Sequence, residues 1–286
     1  MKVRVCLTCA LVLLLATAAL GQTQEGYVAV DVVKVKPEKR AEFDAIIKKM
    51  VDANRRNKGD NWIATETNYG EWNTVYFSSL RQSYKELETA FESFMGALSK
   101  AAGPAGAAKL MQDFNNTIVS GRGEIRRRRL ELSSGSPADA SGMARELGNT
   151  RWIRTTIIRV RPGRALDYEE NLRTIKAAND RAGLARYVSQ VVAGQPGTVF
   201  LVTTLAKSLG DFDNARPLRE ILGDSAYQRM QKVSAEAVLS TETIINRVVP
   251  ELSNPTDEVA AAAPDFWRPK PPPAAKPKTA AAPKTE

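Results

Sequence analysis

VKVKPEKRAEF occupies Val33–Phe43, and IRVRPGRALDY occupies Ile158–Tyr168. Both read apolar, basic, apolar, basic, then Pro, then a helix-like run that ends in an aromatic ring. Working outward, residue 27 laid on residue 152 keeps the match without a gap. Val33 meets Ile158, Val35 meets Val160, Pro37 meets Pro162 and Phe43 meets Tyr168. Farther along, Asn54 meets Asn179, Arg56 meets Arg181, Leu80 meets Leu205 and Ser83 meets Ser208. The register holds to Leu87 and Phe212. After a deletion of about five residues, Ile125 meets Ile245 and Arg127 meets Arg247. A period this long marks a duplicated domain, not a solenoid.

Each copy has the same pattern. Val28, Val30, Val32, Val33 and Val35 predict a strand over 27–36, matched by 152–161. Pro37 and Pro162 suit the first position of a helix. Phe43, Ile46, Ile47 and Met50 then recur at helical spacing, as do Tyr168, Leu172 and Ile175. Strands are expected at 62–69 and 73–79, and at 186–193 and 198–204, with Gly and Pro in the turns between. A helical region follows, broken at Gly103-Pro104, and a last strand lies near 122–131 and 241–249. The order is β-α-β-β-α-β, the split ferredoxin-like unit.

The flanks read differently. Lys2, Arg4 and an apolar run to Leu20, closed by Gly21, have the form of a secretory signal over 1–21. Cys6 and Cys9, the two cysteines of the chain, would leave with it, so the mature chain would have no thiol. The expected divisions are unit 1 at 22–132, a Ser/Gly/Pro/Ala linker at 133–150, unit 2 at 151–253, and a disordered Pro/Ala/Lys tail at 254–286. The lysines of that tail offer a tether to an anionic cell-envelope surface, or else are simply solvated. Export to the periplasm or the extracellular space is expected, with no membrane span in the mature chain.

Two such copies resemble the dimeric α+β barrel superfamily, which includes antibiotic-biosynthesis-monooxygenase-like and NIPSNAP-like domains. The V-x-V-x-P motif before the first helix, the element order and the tandem copies carry the resemblance, over about residues 27–250. It implies an α+β fold in which two ferredoxin-like units pack sheet to sheet around a lumen, as an intramolecular pseudo-dimer. Several enzymes of that superfamily use a His for haem or for proton transfer. This sequence contains no histidine, so those residues cannot be carried over.

Without imidazole or thiol, no catalytic residue, metal site or cofactor is assigned. Four polar features remain as ligand-binding candidates. Asn54 and Asn179 fall on the core-facing stripe of each first helix, where they touch a ligand or tie a loop. Lys34, Lys36, Arg159 and Arg161 alternate along the first strands, and Arg127 and Arg247 match on the last ones. If that face lines a lumen, these cations would hold a carboxylate or phosphate; otherwise they are a solvated ladder. Trp62 and Tyr69 line a pocket or pack the core. Cofactor-free monooxygenases of the resembled superfamily use Asn, Trp, Tyr and Arg groups, and Asn54, Trp62, Tyr69 and Arg81 supply those types. The signal and tail hold a share of the net charge of +9 and the folded body is only mildly basic, so nucleic-acid binding is not expected. The leading expectation is an exported, non-catalytic protein that binds a small anionic or aromatic ligand between its two units. The alternatives are a cofactor-independent monooxygenase-like enzyme and a purely structural envelope protein. Oligomeric state is left open.

Overall fold

The computed structural model describes residues 26–269. The expected signal and residues 270–286 of the expected tail lie outside them. β-Branched residues build β1, Tyr27–Val35. Pro37 opens a 3-10 turn, Pro37–Lys39, that leads into α1, Arg40–Asn57. A proline is tolerated there because the N–H it lacks would have no intrahelical acceptor. β2 (Ile63–Tyr69), β3 (Thr74–Arg81), α2 (Tyr84–Thr117) and β4 (Ile118–Arg128) follow. α2 bends at Gly103, whose φ of 73° and ψ of 163° leave the helical region ahead of Pro104. α3 is Ala140–Asn149.

The second half repeats the order. It contains β5 (Trp152–Val160), α4 (Ala165–Arg181), β6 (Tyr187–Ala193) and β7 (Thr198–Ala206). The short α5 (Leu218–Leu222), α6 (Asp224–Ala237) and β8 (Val238–Val248) complete it. α7 (Asp257–Ala262) and α8 (Pro264–Trp267) come last.

The eight strands close into one antiparallel barrel in the order β1-β3-β2-β8-β5-β7-β6-β4. Two seams, β2–β8 and β4–β6, join the halves. Tyr27 pairs with Arg81 on one side and Arg127 on the other, while Trp152 pairs with Ala206 and Arg247. These are the offsets of the sequence repeat. Even the irregularities match, between Lys34 and Val35 and between Arg159 and Val160. Closure leaves no strand edge unpaired, which removes the usual template for aggregation.

Alternation along the strands sorts the side chains. Val33 and Val35 face outward and pack with Phe43, Ile47, Met50 and Leu98 under α1 and α2. Ile158 and Val160 pack with Tyr168 and Leu172 in the second half. The opposite faces look into the barrel, where Ile157, Val191, Val199, Leu201 and Ile244 form a core against Tyr76. Burying each such side chain contributes about 1.5–3 kcal/mol. The middle of the lumen, expected to receive a ligand, is therefore packed with side chains.

The halves also interlock. Leu132, just past the first half, is buried in the core of the second. Leu252, just past the second half, is buried in the core of the first. The next residue acts alike in both places. Ser133 Oγ accepts from Val188 N and donates to Arg129 O, both at 2.8 Å. Ser253 Oγ accepts from Ala64 N and donates to Val249 O, both at 2.8 Å.

Two expected segments differ from the structure. The linker of 133–150 is helical over 140–149, where Asp139 caps α3 by accepting from Gly142 N at 2.7 Å. The tail expected to be disordered from 254 is ordered through 269. Composition underrated it because Phe266 and Trp267 concentrate their apolar area on one spot. Trp267 is buried with Val248, Val259 and Ala260, against Ile63, Leu147 and Ile153. Its indole donates to Gly148 O at 2.9 Å, and the Arg151 guanidinium lies 3.5 Å from the centre of the Phe266 ring. Gly148 is required by close approach, since a Cβ there would lie 2.4 Å from Val259 O. α3, α7 and α8 thus cap the barrel end at which β1 and β5 begin. Among the described residues, no helix is long and apolar enough to cross a membrane.

Candidate functional site

The ten sequence-derived candidates do not converge. Lys34 and Arg159 lie at the uncapped rim, where Lys34 Nζ is 3.0 Å from Glu71 and Arg159 is 3.9 Å from Glu242. Lys36 Nζ donates to Asn116 O at 2.9 Å, and Arg161, just past β5 on the opposite side of the barrel, is exposed. Arg127 and Arg247 stand on the outer face, paired across strands with Tyr27 and Trp152. Tyr69 is exposed at the end of β2. Asn54 is fully buried and ties a loop: Nδ2 donates to Met50 O at 2.9 Å, and Oδ1 accepts from Asp60 N at 3.0 Å. Asn179 is buried at the end of α4. Trp62 packs edge-on against Phe94 and donates to Leu252 O at 2.8 Å.

The barrel interior does hold one charged cluster. Glu124 on β4 has no exposed side-chain surface. It accepts from Arg122 at 2.8 Å, from Arg126 at 2.7 and 2.9 Å, and from Gln195 at 2.7 Å. Burial alone would raise its carboxyl, but the charge of Arg126 and these hydrogen bonds outweigh it and hold the group below the usual carboxylate range. Gln195 comes from the β6–β7 hairpin, so the cluster ties the β4–β6 seam. All its acceptor positions are filled, which marks it as structural.

The open site lies outside the barrel, on the sheet of the second half. α5 and α6 leave part of that sheet uncovered. Arg154 and Thr156 of β5, Val202 and Thr204 of β7, Thr243 of β8 and Arg186 just before β6 line a depression of about 240 Å³. Thr156 and Thr243 hydroxyls are 3.1 Å apart. The Arg154 guanidinium lies 4.8 Å from the centre of the Phe212 ring, a favourable cation–π distance. Among the described residues, the Arg186 guanidinium donates only to its neighbour's carbonyl, Ala185 O, at 2.6 Å. Its guanidinium is held below its ordinary value, first by burial and second by the charge of Arg154. Among the described residues, no carboxylate forms an ion pair with either arginine. Two repelling guanidiniums, three hydroxyls and an apolar wall suit an anion that carries a hydrophobic group.

The sequence carries a signal for this site. Ile158 and Val160 sit on the helix-facing side of β5, and so do Arg154 and Thr156. Polar side chains on a stripe that should be covered mark an uncovered sheet. The repeat also sharpens it, because Arg154 meets Ala29 and Arg186 meets Asn61 in the other copy.

No group of three or more metal-ligating side chains is present among the described residues. No family model matches the chain, and no curated protein is significantly similar to it. Solved structures are similar in fold. An anthrone oxidase-like protein shares 13% identity, with 80% of this chain and 94% of that one covered at a TM-score of 0.50. A candidate monooxygenase from Fusobacterium nucleatum shares 11%, covering 79% and 94% at 0.49. A haem-binding protein from Thermus thermophilus shares 11%, covering 80% and 93% at 0.43. At such identities the likeness concerns fold alone.

Proposed function

We propose that this chain is an exported, non-catalytic protein that binds a small anionic ligand in the Arg154–Arg186 pocket. Its two halves are read as tandem ferredoxin-like units from one duplication, closed on each other as an internal pseudo-dimer. The observation that carries the ligand reading is the pair of guanidiniums, half-buried side by side without a carboxylate. Such a pair repels itself until an anion arrives, and a carboxylate or phosphate accepts from both forks. Val202 and Phe212 favour a ligand with an apolar or aromatic body. The pocket lies outside the barrel, not between the units.

The monooxygenase-like alternative has less support. Asn54 and Trp62 have their polar atoms engaged in loop ties, and Arg81 donates to Asp60 at 2.6 and 2.7 Å. Tyr69 is exposed elsewhere. The absence of histidine also removes imidazole ligation of haem.

Thermal denaturation with millimolar aliphatic and aromatic carboxylates and phosphates tests this reading. A ligand at a hundred times its Kd stabilises by about 2.7 kcal/mol. The shift should vanish in Arg154→Ala and in Arg186→Ala. No shift with any anion, or one that survives in the double variant, would refute it.

A further inference from the structure

The first half of α2 carries a face that no described element covers. Tyr84, Glu88 and Phe91 recur on it at helical spacing, with Glu92 alongside. Tyr84 is 54% exposed and Phe91 64%, large values for aromatic rings. Tyr84 also leans on Tyr27 at the start of β1, ring centres 4.8 Å apart and the planes tilted by 53°. The helix does not need these rings for its own packing. Phe94, Met95 and Leu98 of the same helix already fill the core against α1. Glu88 and Glu92 are exposed and form no ion pair among the described residues. Exposed rings beside uncompensated carboxylates fit a proline-rich basic chain, whose prolines lie on the rings and whose lysines reach the acids.

The chain contains such a segment. Residues 270–286 read KPPPAAKPKTAAAPKTE, with Lys270, Lys276, Lys278 and Lys284 opposed only by Glu286. The described chain reaches Pro269 at the capped end of the barrel, and the Tyr27–Tyr84 pair lies at that same end. Fully extended as a polyproline helix, 270–286 spans about 50 Å. Tethering gives it an effective concentration near the millimolar range, so even a weak groove would be filled.

We infer that the Lys270–Lys284 segment docks in extended form on the Tyr84–Phe91 face of α2 in its own chain. This inference is independent of the arginine pocket. Amide hydrogen exchange over 84–95 tests it in the full chain and in three full-length variants. These are Phe91→Ser, Glu88→Lys with Glu92→Lys, and a chain with the four tail lysines changed to Ser. Each variant should speed exchange there at least fivefold, and 0.5 M salt should do the same to the parent chain. A labelled 268–286 peptide should bind the lysine-free chain in trans and lose binding when Phe91→Ser is added. The inference fails if exchange over 84–95 is equal in all chains. It fails equally if the peptide ignores Phe91→Ser, or if the lysines matter only for binding anionic phosphatidylglycerol vesicles. The exposed Glu88/Glu92 pair keeps the test valid should Phe91→Ser misfold.

Discussion

Residues 27–134 and 152–254 share an order of elements and a pattern of strand pairing, and differ in much of what their surfaces carry. Cross-strand pairs, bulges, the exchanged leucines and the serine ties recur at fixed offsets. The side chains between those fixed points diverge. Glu124 with its arginines sits inside the first half, and Ile244 fills the matching place in the second. Asp31 faces outward in the first half, its carboxyl raised by desolvation and then by Asp60, where the second half has Thr156. Gly123 matches Thr243, and Ala29 matches Arg154. Closing a barrel constrains registers and seam contacts, because one slipped residue would turn every side chain over. It leaves the uncovered sheet faces free to change, and the candidate ligand site lies on such a face.

This comparison can be broken most forcefully at the lumen. Glu124→Ile should cost about 4 kcal/mol in urea unfolding, because it strands the half-buried Arg126. Adding Arg126→Asn gives the first half the residues of the second, and most of the loss should return. A double variant as unstable as the single one would mean the halves are not interchangeable there. Next in size, Leu132→Ala and Leu252→Ala should each cost about 3 kcal/mol and keep one unfolding transition. Two separated transitions in either variant would show that the interlock does not couple the halves. Ser133→Ala and Ser253→Ala should cost about 1–2 kcal/mol apiece, and a large inequality would break the symmetry of the ties.

Acid sharpens the contrast. Glu124, Glu66 and Glu169 all have depressed carboxyls; for Glu66 and Glu169 a hydrogen-bonded arginine is the largest cause. Their stabilisation is complete above the ordinary carboxylate range and is lost as pH falls through the lower folded values. Urea midpoints should therefore drop below about pH 4, and less steeply in the Glu124→Ile, Arg126→Asn chain than in the parent. The smallest effect is expected at the pocket. Arg154→Ala should change stability by no more than about 0.5 kcal/mol, since it removes a half-exposed charge that repels its neighbour.

Much of the fold was legible because periodicity and punctuation are local. Val33 and Val35, Pro37, and the stripe from Phe43 to Met50 each dictate what their few neighbours do. Gly103-Pro104 placed the bend of α2. The segments after each half were less legible, because their burial depends on partners far away in the chain. Trp267 looks like an isolated ring until Gly148 leaves room for it. Yet Glu-Leu-Ser stands at both 131–133 and 251–253, on the offset that relates Arg127 to Arg247. That the cationic candidates are not brought together has a related reason. Alternation tells which residues share a face, but not which faces a helix leaves bare, and α5 and α6 decide that for Arg154.

The exchanged leucines bear on how the chain is made. A nascent first half emerging from the ribosome would have a hole where Leu252 belongs and two naked borders where β6 and β8 will lie. It can rest only when residues 238–252 arrive, so chaperone dependence during synthesis should outweigh that of a single-unit relative.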